Sequence, residues 1–148
     1  MSIWWSLHLR REAASVPLAR RLLLGTMETA GVDPDISFDL SVALTEACAN
    51  AVEHAGTATN YSVTAQIDGE RCRIEVADSG PGFARDRFLR HPARPPAHRG
   101  QHAEHGRGLF LIEALVDHVH FHDRPGHGTV VSFDKVLKWR DGALLKAS

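Results

Sequence analysis

The 148 residues, 43% of them hydrophobic, have the length and apolar content of one ordinary globular domain, residues 1 to 148, with a sizeable core. Seventeen basic and eighteen acidic side chains leave a formal net charge of -1, so no overall field draws the chain to nucleic acid or to an anionic membrane. No run approaches the ~20 apolar residues of a membrane span, and the N-terminus lacks the apolar stretch of a signal peptide, so a cytoplasmic protein is expected.

Ile3, Trp5, Leu7 and Leu9 alternate with Trp4, Ser6, His8 and Arg10, which predicts a half-buried first strand. Ser15 is placed to cap a helix, with Pro17 in its first turn. Val16, Ala19, Leu23, Met27 and Ala30 then recur at helical spacing until Gly31 stops it. Arg20 and Arg21 fall off that stripe. After the Asp33-Pro34 punctuation a second helix is predicted from Phe38 to Glu53, with Leu40, Leu44, Ala47, Cys48 and Ala51 on its apolar side and Gly56 beyond its end.

Tyr61, Val63, Ala65 and Ile67 alternate before the turn Asp68-Gly69, and Cys72, Ile74 and Val76 alternate after it, so the two runs predict a hairpin. Between Ala84 and His105 apolar residues nearly vanish while Arg, His and Pro accumulate, and a long surface loop is predicted. Gly106-Arg107-Gly108 opens a helix from Leu109 to Val116. A last hairpin sets Val119 and Phe121 against Thr129, Val131 and Phe133, and the tail from Lys138 is expected to be peripheral.

Glu46, Asn50 and His54 lie four residues apart, so they share one helix face. The Asn50 side-chain oxygen is a hard ligand suited to Mg2+, and Glu46 one turn earlier could deprotonate a nucleophile beside it; an ordinary solvated polar stripe has the same spacing. Asp78 continues the inward phase of Cys72, Ile74 and Val76, and an inward carboxylate requires donors. An adenine amino group would supply one, with Gly80 and Gly82 letting the backbone approach a flat ligand. A turn-forming Asp bonding back to Gly80 would satisfy it locally instead.

The glycines at 106 and 108, ahead of Leu109, form a phosphate-site pattern at a helix start, or a hinge. Arg107 between them could neutralise phosphate charge, or simply face solvent. Thr129, in the inward phase of Val131, could reach adenine or bond to its neighbouring strand. The histidines at 98, 102 and 105 and at 118, 120 and 122 lack paired ligand spacing for a zinc tetrahedron, and Cys48 and Cys72 in apolar phase predict buried free thiols.

Taken in order, T-E-A-C-A-N-A-V-E-H from Thr45, A-D-S-G-P-G-F from Ala77, H-G-R-G-L-F-L-I from His105 and G-T-V-V-S-F from Gly128 resemble the four boxes of the gyrase, histidine-kinase and MutL ATPase superfamily. The resemblance implies a two-layer α/β sandwich, the Bergerat ATP-binding fold, with a mixed, mostly antiparallel sheet covered by helices on one face. It makes residues 84 to 105 a lid over ATP. The short single-domain form resembles the anti-sigma factor serine kinases of the RsbW type, which bind a sigma factor and phosphorylate an anti-anti-sigma antagonist on serine or threonine.

By that resemblance Asn50 holds Mg2+ across the ATP phosphates, Glu46 takes the hydroxyl proton, and Gly106 to Leu109 cradle phosphate. His54 would belong to the same nucleotide site, Asp78, Gly80, Gly82 and Thr129 would hold adenine, and Arg107 or Arg99 would supply the cation for transfer. Arg20 and Arg21 are candidates for the sigma-factor surface, and a homodimer is implied. Two other readings share these boxes: a non-catalytic ATP-binding partner-switch module, and a detached catalytic domain of a histidine kinase, which the lack of a phospho-acceptor hairpin ahead of residue 45 disfavours.

Overall fold

The computed structural model describes residues 2–54, 59–78, 109–124 and 128–143, with 54 and 124 described for their backbone alone. Its elements in chain order are β1 (Ile3–Arg10), α1 (Ser15–Ala30), α2 (Pro34–His54), β2 (Asn60–Ile67), β3 (Arg71–Asp78), β4 (His118–Arg124) and β5 (Gly128–Val136). Residues 109–115 are also helical. The five strands form one sheet in the order β1-β2-β3-β5-β4, and each neighbouring pair is antiparallel.

The strand alternation decides which face is covered. Val63, Ala65, Ile67, Cys72, Ile74, Val76, Val131 and Phe133 are all buried, and together with Leu23, Met27, Leu40, Leu44 and Ile112 they make one core beneath the helices. Trp4, His8, Gln66, Arg73, His118, His120 and His122 occupy the alternate phase and are exposed. A two-residue period with one buried face sets strand register without slippage. Asp68 fixes the β2-β3 turn, its Oδ1 accepting from the backbone N-H groups of Glu70 and Arg71 at 2.9 Å each.

Helix α1 buries the predicted stripe of Val16, Ala19, Leu23, Met27 and Ala30. It ends at Gly31, whose φ of 92° is the left-handed conformation that a residue with a Cβ adopts only at a cost. Its start departs from expectation. The capping position is Ala14, with no side-chain cap, and Ser15 is the first helical residue. The Ser15 hydroxyl donates to the Glu12 carbonyl at 2.6 Å and meets the Tyr61 hydroxyl at 2.6 Å, so it points inward and backward, away from the N-H groups a capping oxygen accepts from.

Helix α2 begins four residues earlier than expected. Asp33 accepts from the backbone N-H of Asp35 at 2.8 Å through Oδ1, and its carbonyl accepts from Ser37 N-H at 3.0 Å. Asp33 is therefore the cap and Pro34 the first helical residue, where a missing N-H costs nothing. The tail is not peripheral as far as residue 143: Trp139 bridges Val32, Arg140 N-H donates to the Gly31 carbonyl at 2.8 Å, and Ala143 is buried. It closes the α1-α2 corner.

The direction of α2 across the sheet follows from its two ends. Near its start, Asp39 lies 3.9 Å from Lys135 Nζ at the far end of β5. The same ammonium donates to the Leu115 carbonyl at 2.7 Å and so anchors the helical stretch 109–115. Near the finish of α2, Arg11, just past β1, donates through Nε to the Val52 carbonyl at 2.6 Å and through its guanidinium to the Glu53 carbonyl at 3.3 Å. A cation on terminal carbonyls is favourable at a helix C-terminus. The C-terminal half of α2 thus lies over the sheet end where β1 finishes, β2 starts and β3 finishes.

Candidate functional site

That sheet end is where the buried strand phases turn polar. Tyr61, the second residue of β2, pairs with Asp78, the last residue of β3. Ala77 pairs with Val130 of β5, so Asp78 and Thr129 each lie one position further along adjacent strands, in the phase that buries Val76 and Val131. Asp78 is half-buried, and Thr129 is 5% exposed with its hydroxyl donating to Asp123 Oδ1 at 3.4 Å. The bond across to the neighbouring strand is therefore made, and Asp123 pairs with Thr129 in the β4-β5 ladder. Gly128 precedes Thr129 with a φ of 108°, a backbone setting that favours glycine.

Above those strands sits the C-terminal half of α2. Glu46 and Asn50, one turn apart, are both half-buried, while Ala47, Cys48 and Ala51 between and after them face the core. Asn50 Nδ2 is buried without a hydrogen-bond partner, the one such side-chain atom among the described residues. A buried amide end without a partner costs roughly 1–3 kcal/mol. The Nδ2 end is a donor, so cation binding would fall to the Oδ1 end of the group. The oxygen of the same carboxamide is of the ligand type that suits a phosphate-bound Mg2+, a cation that prefers a few oxygen ligands.

The thiols are excluded as nucleophiles. Burial pushes Cys48 up to about 12, eased by the Tyr61 hydroxyl, and burial likewise pushes Cys72 up to about 12. Both therefore stay protonated at neutral pH and are free, buried thiols as expected. No group of three His, Cys, Asp or Glu side chains is gathered for a metal among the described residues. The β4 histidines 118, 120 and 122 are exposed on one strand face, and His118 is engaged through Nδ1 with Asp134 at 2.9 Å.

The structure therefore brings Glu46, Asn50, Asp78 and Thr129 to one end of the domain. Leu109 is half-buried at the start of the described helical stretch. Gly80, Gly82, Gly106, Arg107 and Gly108, the lid at 84–105 with Arg99, and the His54 side chain lie outside the described residues. Two attachments of α2 have no counterpart in the motif reading, the Arg11 clamp and a 3.5 Å contact from Arg20 to the Thr45 hydroxyl next to Glu46, nor does the bond of the Tyr61 hydroxyl to Ser15 on α1. Of these Tyr61 had a signal, since a lone tyrosine in a buried strand phase needs a partner for its hydroxyl.

Residues 9–135 match the family model of the histidine kinase-like ATPase domain. The chain belongs to that family. Within it the chain is 37% identical over 128 residues to a serine-protein kinase RsbW of Bacillus licheniformis, covering 82% of this chain and 78% of that one. It is 31% identical over 134 residues to the serine-protein kinase RsbW of Staphylococcus aureus, covering 85% and 82%. It is a member of the RsbW-type group. A crystal structure of the RsbU and RsbW domains of a Mycobacterium tuberculosis protein superposes with a TM-score of 0.64 at 21% identity. The match covers 90% of this chain and 33% of the other, and it bears out the α/β architecture of an antiparallel sheet with its helices.

Proposed function

We propose that this chain is an ATP-dependent serine/threonine protein kinase and anti-sigma factor, which sequesters a sigma factor and phosphorylates its anti-anti-sigma antagonist. The observation that carries the reading is the convergence at one sheet end of Asp78 and Thr129 from the strands with Glu46 and the unsatisfied Asn50 amide from α2. Asp78 accepts from the adenine amino group, which selects adenine over guanine, with Thr129 beside it and Gly80 and Gly82 giving the ring close backbone approach. Asn50 would hold Mg2+, which neutralises phosphate charge when bound. Gly106, Gly108 and Leu109 offer backbone N-H groups to phosphate, with Arg107 as the cation and His54 bordering the same site.

In the transfer step Glu46 takes the proton of the acceptor hydroxyl. The acceptor oxygen bonds to the γ-phosphorus as the bond to the β-γ bridging oxygen breaks, and ADP departs carrying the electron pair. Removing a general base of this kind lowers rates by about 10²–10⁴-fold. Arg20 and Arg21, half-exposed and exposed on α1, would meet an acidic sigma-factor surface. A homodimer and a cytoplasmic location belong to the same reading; no described helix is long and apolar enough to cross a membrane.

The test is transfer of labelled phosphate from ATP to the antagonist encoded beside this gene, with and without Mg2+, in the native chain and in Glu46→Ala. Magnesium-dependent labelling of a serine or threonine that disappears in Glu46→Ala, with ATP binding preserved, is the expected result. ATP and magnesium binding without labelling of any antagonist would refute the kinase reading.

A further inference from the structure

Arg11 follows the last residue of β1, and its backbone N-H donates to the Thr59 carbonyl at 2.8 Å, one step beyond the pairing of Arg10 with Asn60. Its main chain is therefore fixed to the sheet. Its side chain crosses to α2, where Nε donates to the Val52 carbonyl at 2.6 Å and Nη2 to the Glu53 carbonyl at 3.3 Å. Both carbonyls belong to the last four residues of α2, whose C=O groups have no N-H partner within the helix. A guanidinium holds its donors in a planar, rigid fork, so the two bonds set a direction as well as a distance.

The place of this strut matters because of what the end of α2 carries. Asn50 stands four residues before the helix ends at His54 and two before Val52, whereas Glu46 is a full turn deeper. Helix ends fray, because their terminal groups lack the bonds that hold the interior. A Mg2+ ligand in a fraying turn loses its placement with every opening, and the near-octahedral geometry that Mg2+ demands leaves little tolerance. Arg11 opposes fraying in two ways. It bonds the end carbonyls, and it sets a positive charge at the negative end of the helix dipole.

We infer that Arg11 is a positioning residue for the metal end of the site: its guanidinium locks the last turn of α2 to the sheet and holds the Asn50 carboxamide where Mg2+ and the ATP phosphates need it. The metal and kinetic parts deepen the kinase reading and rest on it; the locking of the turn does not. The effect fades with distance from the helix end. Asn50 depends on Arg11 more than Glu46 does, and adenine binding, which comes from the strands, depends on it least.

The experiment compares Arg11→Ala, Arg11→Gln and Arg11→Lys with the native chain; the backbone bond to Thr59 survives in each. Amide hydrogen exchange resolved along α2 is one readout, the Mg2+ concentration for half-maximal phosphorylation of the antagonist a second, and ATP affinity without Mg2+ a third. In Arg11→Ala, exchange over residues 50–53 is expected to quicken at least about tenfold, while Leu40 to Leu44 stay within about twofold. The Mg2+ requirement should rise about tenfold, the lower end of what is lost with a group behind a metal ligand, and ATP affinity without Mg2+ should change less than about twofold. Arg11→Lys keeps the charge without the fork and should recover part of both losses, and the neutral Arg11→Gln should recover less.

A guanidinium that served only global stability would lower the melting temperature and quicken exchange alike over 40–44 and 50–53. That result overturns the inference, and so does an unchanged Mg2+ requirement, or a loss of ATP affinity without Mg2+ as large as the rise in that requirement. If the native chain labels no antagonist, the kinase reading fails. Exchange over 50–53 and the magnesium-dependent part of the thermal shift with ATP then still decide whether Arg11 holds Asn50 in place.

Discussion

Asn50 offers a test in which stability and function move in opposite directions. Its Nδ2 is buried and unpaired in the protein without ligand. Replacing Asn50 by alanine removes a group whose unsatisfied burial costs about 1–3 kcal/mol. Alanine also has a helix propensity higher by up to about 0.7 kcal/mol at an interior position of α2. Against this stands the lost packing of one short, half-buried side chain, of order 1 kcal/mol. The net expectation is a gain of about 1–2 kcal/mol, which for a chain near 150 residues raises the melting temperature by roughly 2–8 °C. Nucleotide acts the other way. At a free concentration one hundred times its dissociation constant, Mg-ATP stabilises the native chain by about 2.7 kcal/mol through mass action. Thermal melts without ligand, with ATP alone and with Mg-ATP separate the two effects. Asn50→Ala should melt higher than the native chain without ligand and lose the magnesium-dependent part of the ATP shift. A variant that melts lower without ligand, or that keeps the full magnesium-dependent shift, refutes the assignment of Asn50 to the metal.

Asp78→Asn keeps the size of the side chain and removes its charge; hydrogen bonds to charged groups contribute about 1.5–3 kcal/mol, so ATP affinity measured by titration calorimetry should weaken about 10- to 150-fold. A loss under twofold would remove Asp78 from the adenine site. Asp134 gives a pH signature away from the site. Burial, the largest single influence on its carboxyl, pushes it up, but the His118 hydrogen bond and the Arg71 charge, 2.6 Å away, outweigh it and hold the group below the ordinary carboxylate value. A lowered folded-state value means stability that is present above the unfolded value of about 3.9 and lost as pH falls through the folded one. Asp134→Asn should therefore cost up to about 1 kcal/mol at pH 7, since both partners are substantially exposed, and the difference from the native chain should vanish in acid. Urea melts from pH 2 to 7 measure it, and a gap that persists at pH 2 contradicts the ionic origin.

Much of the fold was legible because one periodicity does most of the placing. In β2 and β3 every residue assigned inward by alternation, from Tyr61 to Val76, is buried, since a sheet covered on one face leaves no other phase for apolar side chains. The α1 stripe and its Gly31 stop followed from spacing for the same reason. Boundaries written in polar side chains were less legible. Asp33-Pro34 reads equally as a turn or as a cap followed by a first-turn proline, and only the bonds from Asp35 and Ser37 decide for the helix. Ser15 had the residue type of a cap but not the freedom, because Tyr61 and Glu12, 46 positions later and three earlier, claim its hydroxyl. Trp139 carries no periodic signal at all, and its place against Val32 is a tertiary fact. At the site, strand phase turned Asp78 and Thr129 inward, and the pairing of β3 with β5 is what sets them side by side. The meeting of both with Glu46 and Asn50 needs the direction of α2 across the sheet, which the contacts of Asp39 and Arg11 at its two ends show.

In the proposed site adenine and phosphate groups would be held by different layers of the sandwich, and the consequences differ. Asp78 and Thr129 stand at strand ends whose neighbours are tied by ladder hydrogen bonds to the most buried part of the sheet, so their spacing changes little with anything that happens among the helices. Glu46 and Asn50 stand on a helix held to the sheet by apolar packing and by a few directional contacts, at Arg11 and Lys135, with Arg20 bonding from α1. Packing is indifferent to small rotations in a way that hydrogen bonds are not. The layer proposed to recognise the nucleotide is therefore the stiffer one, and the layer proposed to carry out transfer is adjustable through α1, whose start is bonded to Tyr61 and whose Arg20 touches the residue before Glu46. A protein bound against α1 thus has a short physical route to Glu46 and none of comparable directness to Asp78, so its binding should alter transfer before it alters nucleotide affinity.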